Sequence, residues 1–427
     1  MTFRLSSCCV AALCSLGFVS ASHAQSSVLM YGVLDASISG YSTHSRLSVP
    51  AALATGVAPA HLIAAPTGLK RSATRLANSA LTASRLGFRG QEDLGGGMAA
   101  SFWLEAGLSN DDGVKGLDNF NRRATLSLSG PWGELRLGRD FAASFWNDTV
   151  FDPFGTNGVG ANLVTSVNSA VAINHGALPR GFAGDNYYRV SNSIGYLLPK
   201  NAWGVYGHLQ YGFHEHEQRD GLAVNGNRKG RYAGARLGYA RGPLDVAASV
   251  GEDYRDEAGT GFVRDRLHVV NVGASYDFGA VKLYGELSRL TDRHSDPTKL
   301  AAFGGASSAR YTGGLIGMTA PVGAGLIRAA YSQVNYAAPA PLMAWDASAN
   351  DAQARKLALG YVHNLSKRTA LYATVARVNL KWNGATHGPM AAVAGGGLGY
   401  STAFGDLGNV YKPKSATGYD IGVRHSF

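Results

Sequence analysis

The sequence predicts an all-β fold, a sixteen-stranded antiparallel β-barrel that spans a membrane. Three observations support this prediction: segments with a period of two recur along the whole chain, most of them are 10 to 14 residues long, and short and long connectors alternate between them. Soluble strands are typically about five or six residues long, whereas a tilted strand needs about 9–11 residues to cross a membrane. Closure into a barrel also avoids exposed strand edges, which are costly in lipid.

The composition excludes several other classes of protein. Charged residues make up only 16% of the 427 residues, and the mean hydropathy is −0.06. No apolar stretch after the N-terminus reaches the roughly 18 residues that indicate a membrane-spanning helix. The hydrophobic fraction of 45% and the aromatic fraction of 10% exclude disorder, because they supply enough burial to offset chain entropy.

The first 24 residues (1–24) are predicted to be a cleaved signal peptide, followed by a single barrel domain, 25–427. Arg4 forms a short basic region, 8–19 is apolar, and 22–24 is a small-residue cleavage site. All three cysteines lie in this segment, so the mature chain has no disulfide and no thiol site. A lipoprotein signal with Cys14 as the lipidated residue is the alternative, which the large Leu13 before it disfavours.

The final strand shows the period of two most clearly, because Tyr419, Ile421 and Val423 alternate with polar residues and glycine. In a membrane barrel the apolar face contacts lipid and the polar face lines a wet lumen. The predicted strands are 28–40, 82–91, 97–108, 120–130, 133–141, 186–199, 203–214, 229–241, 243–254, 266–278, 280–291, 308–320, 325–336, 352–365, 368–380 and 414–427.

The connectors between these strands are alternately short and long. Outer-membrane barrels have short periplasmic turns and longer external loops, so this alternation places both termini on the periplasmic side. The long connectors are 41–81, 109–119, 142–185, 215–228, 255–265, 292–307, 337–351 and 381–413.

Several stretches resemble the general trimeric porins of beta-proteobacterial and neisserial type. The matching stretches are 27–35, 84–97, 120–123, 137–140, 359–369 and 422–427, the last of which ends in Phe427. The resemblance extends in order over the whole mature chain. It implies a sixteen-stranded homotrimeric channel of the cell outer membrane, with the third external loop folded into the lumen as a constriction. It also implies that the final strand is the signal for the outer-membrane assembly machinery.

The long segment 142–185 fits such an inward-folded third loop. It lies between two clear strands, is rich in aromatic and small residues, and contains Asp148 and Asp152. A loop longer than about 15 residues is usually functional. The alternative is an external flap with no role in the pore.

Strand parity predicts which side chains face the lumen. Leu86 and Phe88 face lipid, which leaves Arg85 and Arg89 inside. The same argument places Glu105, Glu134, Arg136 and Arg189 inside. An arginine on the lipid face would cost about 2–4 kcal/mol at the midplane, so inward placement is favoured.

Matched to the family, Arg85, Arg122 and Arg189 fall where anion-preferring members carry an arginine cluster, with Glu105 and Asp152 as nearby acids. Parity within the strand, however, places Arg123 rather than Arg122 in the lumen. We therefore retain both arginines as candidates for the constriction.

These features predict passive diffusion of small hydrophilic solutes with a preference for small anionic solutes. Fixed guanidinium charges in a narrow aqueous pore raise the local anion concentration and repel cations. Outer-membrane lipid and lipopolysaccharide are the expected surroundings. No cofactor, metal or nucleic acid is predicted. The Gly-rich stretches 95–97 and 395–397 lack the strand, helix and Lys-Ser/Thr context of a phosphate-binding loop.

Two other functions were considered. His214 and His216 share one face of a strand end and could bind a metal weakly, but no Ser-His-Asp set can be assembled for a barrel hydrolase. The long loops 41–81 and 381–413 would suit an adhesin or receptor barrel. The first of these is longer than the resemblance leads us to expect, and it is basic.

Overall fold

The computed structural model describes residues 27–47, 67–174, 186–199, 201, 203–214, 230–254, 266–294, 307–337, 351–382 and 411–427. The predicted signal peptide 1–24 and most of the 381–413 loop lie outside the described residues. The helices are α1 (Phe145–Val150) and α2 (Leu163–Asn174). The strands are β1 (Ser27–Leu47), β2 (Gly68–Asn78), β3 (Arg85–Gly95), β4 (Met98–Gly107), β5 (Arg123–Gly130), β6 (Gly133–Phe141), β7 (Arg189–Leu197), β8 (Val205–Gly212), β9 (Tyr232–Arg241), β10 (Leu244–Tyr254), β11 (Arg266–Asp277), β12 (Lys282–His294), β13 (Ser307–Val322), β14 (Gly325–Ala337), β15 (Ala352–Asn364), β16 (Thr369–Trp382) and β17 (Tyr411–Ser426).

The strands form one closed antiparallel ring with sixteen positions. Consecutive strands from β3 to β17 pair with each other, and β17 pairs with β1 to close the barrel. The position after β1 is filled by two segments, because β2 pairs with the far half of β1 and β3 with its near half. The barrel prediction is therefore confirmed, whereas the prediction of 41–81 as a loop is wrong at both ends. There, 41–47 extends β1 and β2 adds a further strand segment.

Both chain ends of the described barrel lie at the rim that carries the short turns. Phe427 exchanges two backbone hydrogen bonds with Gly32, each 3.0 Å long. Exposed aromatic side chains mark the same rim, among them Trp132, Trp203 and Phe278 at short turns. Such a girdle is typical of the boundary between lipid and water.

The two faces of the wall differ as the period of two predicts. Large apolar side chains recur at alternate, outward positions, for example Leu126, Leu209, Leu287 and Ile316, each more than half exposed. Burying this belt in lipid satisfies the hydrophobic effect that a soluble fold would satisfy in a core. None of the helices in the described ranges is long and apolar enough to cross a membrane.

The inner face is polar only in part. An inner apolar cluster joins the described part of segment 142–185 to the inward residues of β11 to β17. Val164, Val167 and Val171 of α2 pack there against Val334 and Ala354. Many inward positions of this half of the barrel are small or apolar because a helix lies on them rather than water, and the inward polar residues among them, such as Lys356 and Asp420, bond to the covering segment.

Candidate functional site

Segment 142–174 is attached to the inner wall by hydrogen bonds as well as by apolar packing. The Leu163 amide donates to Ser332 Oγ on β14 at 3.0 Å, and the Val159 amide donates to Asp420 Oδ2 on β17 at 2.7 Å. Lys356, a fully buried residue of β15, donates its ammonium group to the Ala161 carbonyl. The segment therefore covers the wall of β10 to β17. Its first residues also bond to Gln210 of β8 and Tyr232 of β9, and the wall of β3 to β6 is left uncovered.

Asp148 and Asp152 hold this segment in place and do not face the channel. Asp148 is 0% exposed and Asp152 is 5% exposed. Asp148 accepts hydrogen bonds from Tyr187 and from Asn271 Nδ2, the latter at 2.8 Å. Asp152 accepts a hydrogen bond from Asn162 Nδ2 at 2.8 Å. The expectation that these two carboxylates line the constriction is thus corrected, because Asp148 points into the contact between loop and wall and Asp152 bonds within the loop itself.

Burial raises the pKa of both loop carboxyls. For Asp148 the largest cause is loss of solvent, which hydrogen bonds from its neighbours oppose only in part. The buried carboxyl group of Glu286 on β12 lies near that of Asp148. Two neighbouring carboxyl groups repel each other when both are ionised, which favours the protonated form of one of them.

A cluster around Glu105 occupies the uncovered wall. Arg122 Nε donates to Glu105 Oε1 at 2.6 Å, and Arg85 Nε lies 3.4 Å from Glu105 Oε2. Tyr31 donates its hydroxyl to the same Oε2 at 2.7 Å. The two arginine side chains remain partly exposed, at 25% for Arg85 and 19% for Arg122. One carboxylate thus positions two guanidinium groups that still reach solvent.

Arg123 and Arg122 both reach this luminal face. Arg123 pairs with Glu105 in the ladder of β4 and β5, and its guanidinium lies 4.0 Å from the centre of the Trp103 ring. Arg89 approaches Trp103 from β3, at 5.5 Å. Arg122 precedes β5, so its side chain is not bound by the parity of that strand. The two candidates are neighbours rather than alternatives.

A second basic group lies on β6, β8 and β9. Arg136 contacts Glu134 at 2.8 Å and Asp140 at 2.6 Å. Arg236 Nε donates to Asn147 Oδ1 on α1 at 2.6 Å. His208 is buried beside these groups. Arg236 therefore links the basic wall to the segment that covers the opposite side.

Arg189 does not join the luminal cluster, contrary to the sequence-based expectation. Asp140 pairs with Val190, and Phe141 pairs with Arg189, so Arg189 lies on the face opposite to Asp140. The cause is a β-bulge, seen as a register shift between β6 and β7 and as the positive φ of 52° at Asn192. Each extra residue in a strand reverses the side to which the following residues point.

Among the described residues, sequence reasoning missed several basic residues of the interior. Arg236, Arg328 and Lys356 each alternate with outward apolar neighbours such as Leu237 and Leu357, so parity could have found them. Arg328 packs 4.7 Å from the Phe154 ring of the covering segment. Arg328 and Lys356 therefore lie under the loop, whereas Arg236 lies at its edge.

The arrangement concentrates positive charge on one side of the lumen. Around the channel, the described arginines Arg85, Arg89, Arg122, Arg123, Arg136 and Arg236 stand among the carboxylates of Glu105, Glu134, Asp140 and Asp245. Within the described residues, no three His, Cys, Asp or Glu side chains are grouped closely enough to hold a metal. His214 is described, but residues 215–217 of the His-Glu run lie outside the described residues.

Comparison with known proteins gave concordant matches. A family model described as Gram-negative porin matches residues 10–383. Outer membrane porin protein 32 of Delftia acidovorans is 35% identical over 417 residues, which cover 97% of this chain and 98% of that protein. An outer membrane porin protein of Bordetella pertussis is 29% identical over 85% of this chain and 92% of its own length.

Among solved structures, the anion-selective porin from Comamonas acidovorans superposes with a TM-score of 0.67 at 30% identity. That alignment covers 94% of this chain and 100% of the other. OmpT of Vibrio cholerae, in a form that lacks one loop, matches with a TM-score of 0.58 at 14% identity, which shows the fold alone.

Proposed function

The chain belongs to the Gram-negative porin family and is an outer-membrane channel protein rather than an enzyme, and we propose that it passes small hydrophilic solutes by passive diffusion with a preference for anions. The observation that carries the preference is the surplus of guanidinium groups on the uncovered wall. Arginine stays charged at every physiological pH. A fixed positive field in a narrow aqueous pore concentrates anions and repels cations.

We propose that the constriction lies between the described segment 142–174 and the arginines on and beside β3 to β6. Arg85, Arg122, Arg123 and Arg136 are the proposed eyelet cations. Glu105 supports this role because it holds Arg85 and Arg122 side by side while cancelling one of their two charges. Several partly neutralised sites suit conduction, since a single tight site would retain the anion.

The natural solutes follow from the same chemistry. Guanidinium groups bind carboxylate and phosphate in a bidentate manner. Small organic acids and inorganic phosphate are therefore the proposed solutes. The Comamonas acidovorans porin, which is named for its anion selectivity, supports this direction of preference.

The proposal is tested by the reversal potential of the purified protein in a planar bilayer under a KCl gradient. We expect reversal on the anion side, and the double variant Arg85→Gln/Arg122→Gln should move it toward zero. Arg241→Gln, which removes an exposed charge at the short-turn rim, should leave it unchanged. Reversal on the cation side would refute the anion preference, and an absence of conductance would refute the channel in this form.

We propose further that segment 1–24 is removed on export and that the mature protein assembles as a homotrimer. Conductance steps in triplets would support the trimer, whereas single equal steps would contradict it. The final strand that ends in Phe427 is the proposed signal for the assembly machinery. Deleting Phe427 should lower the amount in the outer membrane without affecting export, and normal surface levels would contradict this role.

A further inference from the structure

The outer wall carries a group of arginines at the rim away from the short turns. We define the outer basic patch as Arg231, Arg266, Arg289, Arg293 and Arg310, which lie on or beside β9 and on β11, β12 and β13. They point outward, because the pairing register aligns them with outward residues. Arg289, for example, lies opposite Val270, which is 39% exposed. Arg289, Arg293 and Arg310 are exposed.

The outer basic patch lies directly above the apolar belt. On the same outward face and nearer the short turns follow Val250, Val272, Leu287 and Ile316. A side chain here therefore sits where lipid tails give way to headgroups. Because the long connectors of such barrels are external, the headgroups at this rim belong to the outer leaflet.

Within the described residues, the charges in this patch are poorly balanced. Arg266 is directly opposite Arg293 in the ladder of β11 and β12, and like charges in that position destabilise a sheet. Glu252 is the one carboxylate that pairs with the patch in the described part of the chain, at 3.1 Å from Arg266. For Arg289, Arg293 and Arg310 the described residues supply no ion pair.

Two aromatic residues add a preference for an amphiphilic partner. Arg231 lies 5.4 Å from the centre of the Tyr211 ring and 5.1 Å from that of Tyr254. Arg266 lies 4.9 Å from the same Tyr254 ring. Tyrosines at this level are typical of the membrane interface, and a guanidinium group on a ring face can still present N–H donors to an anion at its edge.

From these observations we propose that the outer basic patch binds a phosphate-bearing lipid of the outer leaflet. Its phosphate groups contact Arg289, Arg293 and Arg310, and its acyl chains lie on Leu287 and Ile316. Arginine and phosphate form strong, charge-assisted hydrogen bonds, which relieves the repulsion between Arg266 and Arg293. This inference rests on the outer-membrane location and is independent of the anion preference of the channel.

The test measures lipid binding by native mass spectrometry of the detergent-purified protein, with a chelator present to remove bridging divalent cations. The probes are lipid A with two phosphates and its dephosphorylated form. The variant Arg289→Gln/Arg293→Gln/Arg310→Gln should weaken binding of the phosphorylated lipid at least tenfold. The matched control Arg241→Gln/Lys367→Gln/Arg368→Gln removes three exposed charges at the opposite rim and should weaken it less than twofold.

Three outcomes would overturn the proposal: equal binding of the two lipids, equal losses in the two triple variants, and no loss in the patch variant. If the patch variant fails to fold, the variant with lysine at the same three positions keeps the charge and should retain most of the binding. Its loss of binding would equally count against phosphate recognition at this patch. The reversal potential, measured in parallel, should be unchanged in every variant, so that a failure here is separable from a failure of the proposed anion preference.

Discussion

Replacing Glu105 by glutamine should increase the anion preference of the channel. Glu105 is the carboxylate that neutralises one of the two guanidinium charges of Arg85 and Arg122. Glutamine has nearly the same shape, and its single amide oxygen can still accept the Arg122 hydrogen bond, while the Tyr31 hydroxyl can turn to accept from the amide nitrogen. The change is therefore mainly one of charge. The expected result is a shift of the reversal potential further to the anion side.

The size of this shift follows from Coulomb's law. An anion bound on the far side of Arg122 lies roughly 6 Å from the Glu105 carboxylate, since the Nε to Oε1 contact of 2.6 Å and the guanidinium itself separate them. In water the repulsion between two unit charges at that separation is about 0.7 kcal/mol. Screening over a Debye length of about 8 Å at 0.15 M salt roughly halves it. Removing it should raise the anion to cation permeability ratio roughly twofold.

The assay is the reversal potential in a planar bilayer under a KCl gradient, at low salt and again near 1 M salt. At 1 M the Debye length is about 3 Å, so the difference between variant and wild type should nearly vanish. Glu92→Gln, which removes an exposed carboxylate at the end of β3, serves as the control and should have little effect. A shift toward cations, or a shift that persists at high salt, would refute the reasoning.

Three further predictions concern the attachment of the covering segment and the barrel wall. Lys356→Met leaves the Ala161 carbonyl and nearby buried carboxylates without their cation. The free energy of unfolding, measured by thermal unfolding, should therefore fall by about 3–5 kcal/mol, and an unchanged melting temperature would contradict this. Burial raises the pKa of Asp148, so the stability this group contributes is present at low pH and is lost as pH rises through its folded-state pKa. Asp148→Asn should flatten that decline in a pH series of melting temperatures, and an identical slope in the variant would exclude Asp148 as its source. Gly138→Ala, at a φ of 114°, places a Cβ 2.1 Å from a carbonyl oxygen of the neighbouring strand, whereas the Cβ of Gly279→Ala, at a φ of 86°, meets nothing within 4 Å. The melting temperature should therefore fall further for Gly138→Ala than for Gly279→Ala.

Parity arguments succeeded wherever a strand is regular and failed where it is not. Arg85 and Glu105 contact each other on the inner face, and Arg136 contacts Asp140 there, which agrees with the alternation of apolar residues. Arg189 was misplaced because the bulge at Asn192 reverses the faces beyond it. Asn192, a polar residue among the apolar residues that parity assigns to the outer face of this strand, was the one sign of that bulge in the sequence.

By itself, the sequence determined the closed β-barrel, its alternating faces and the surplus of arginine, because strand period and connector length are local properties of the chain. Only the tertiary structure decided that the carboxylates of the segment after β6 are buried. Asp148 and Asp152 are polar residues in a long loop, which in sequence is the pattern of a solvated surface. They are buried because an apolar helix, α2, carries their loop onto the opposite wall, and a contact between residues so far apart along the chain leaves no periodic signal in either segment.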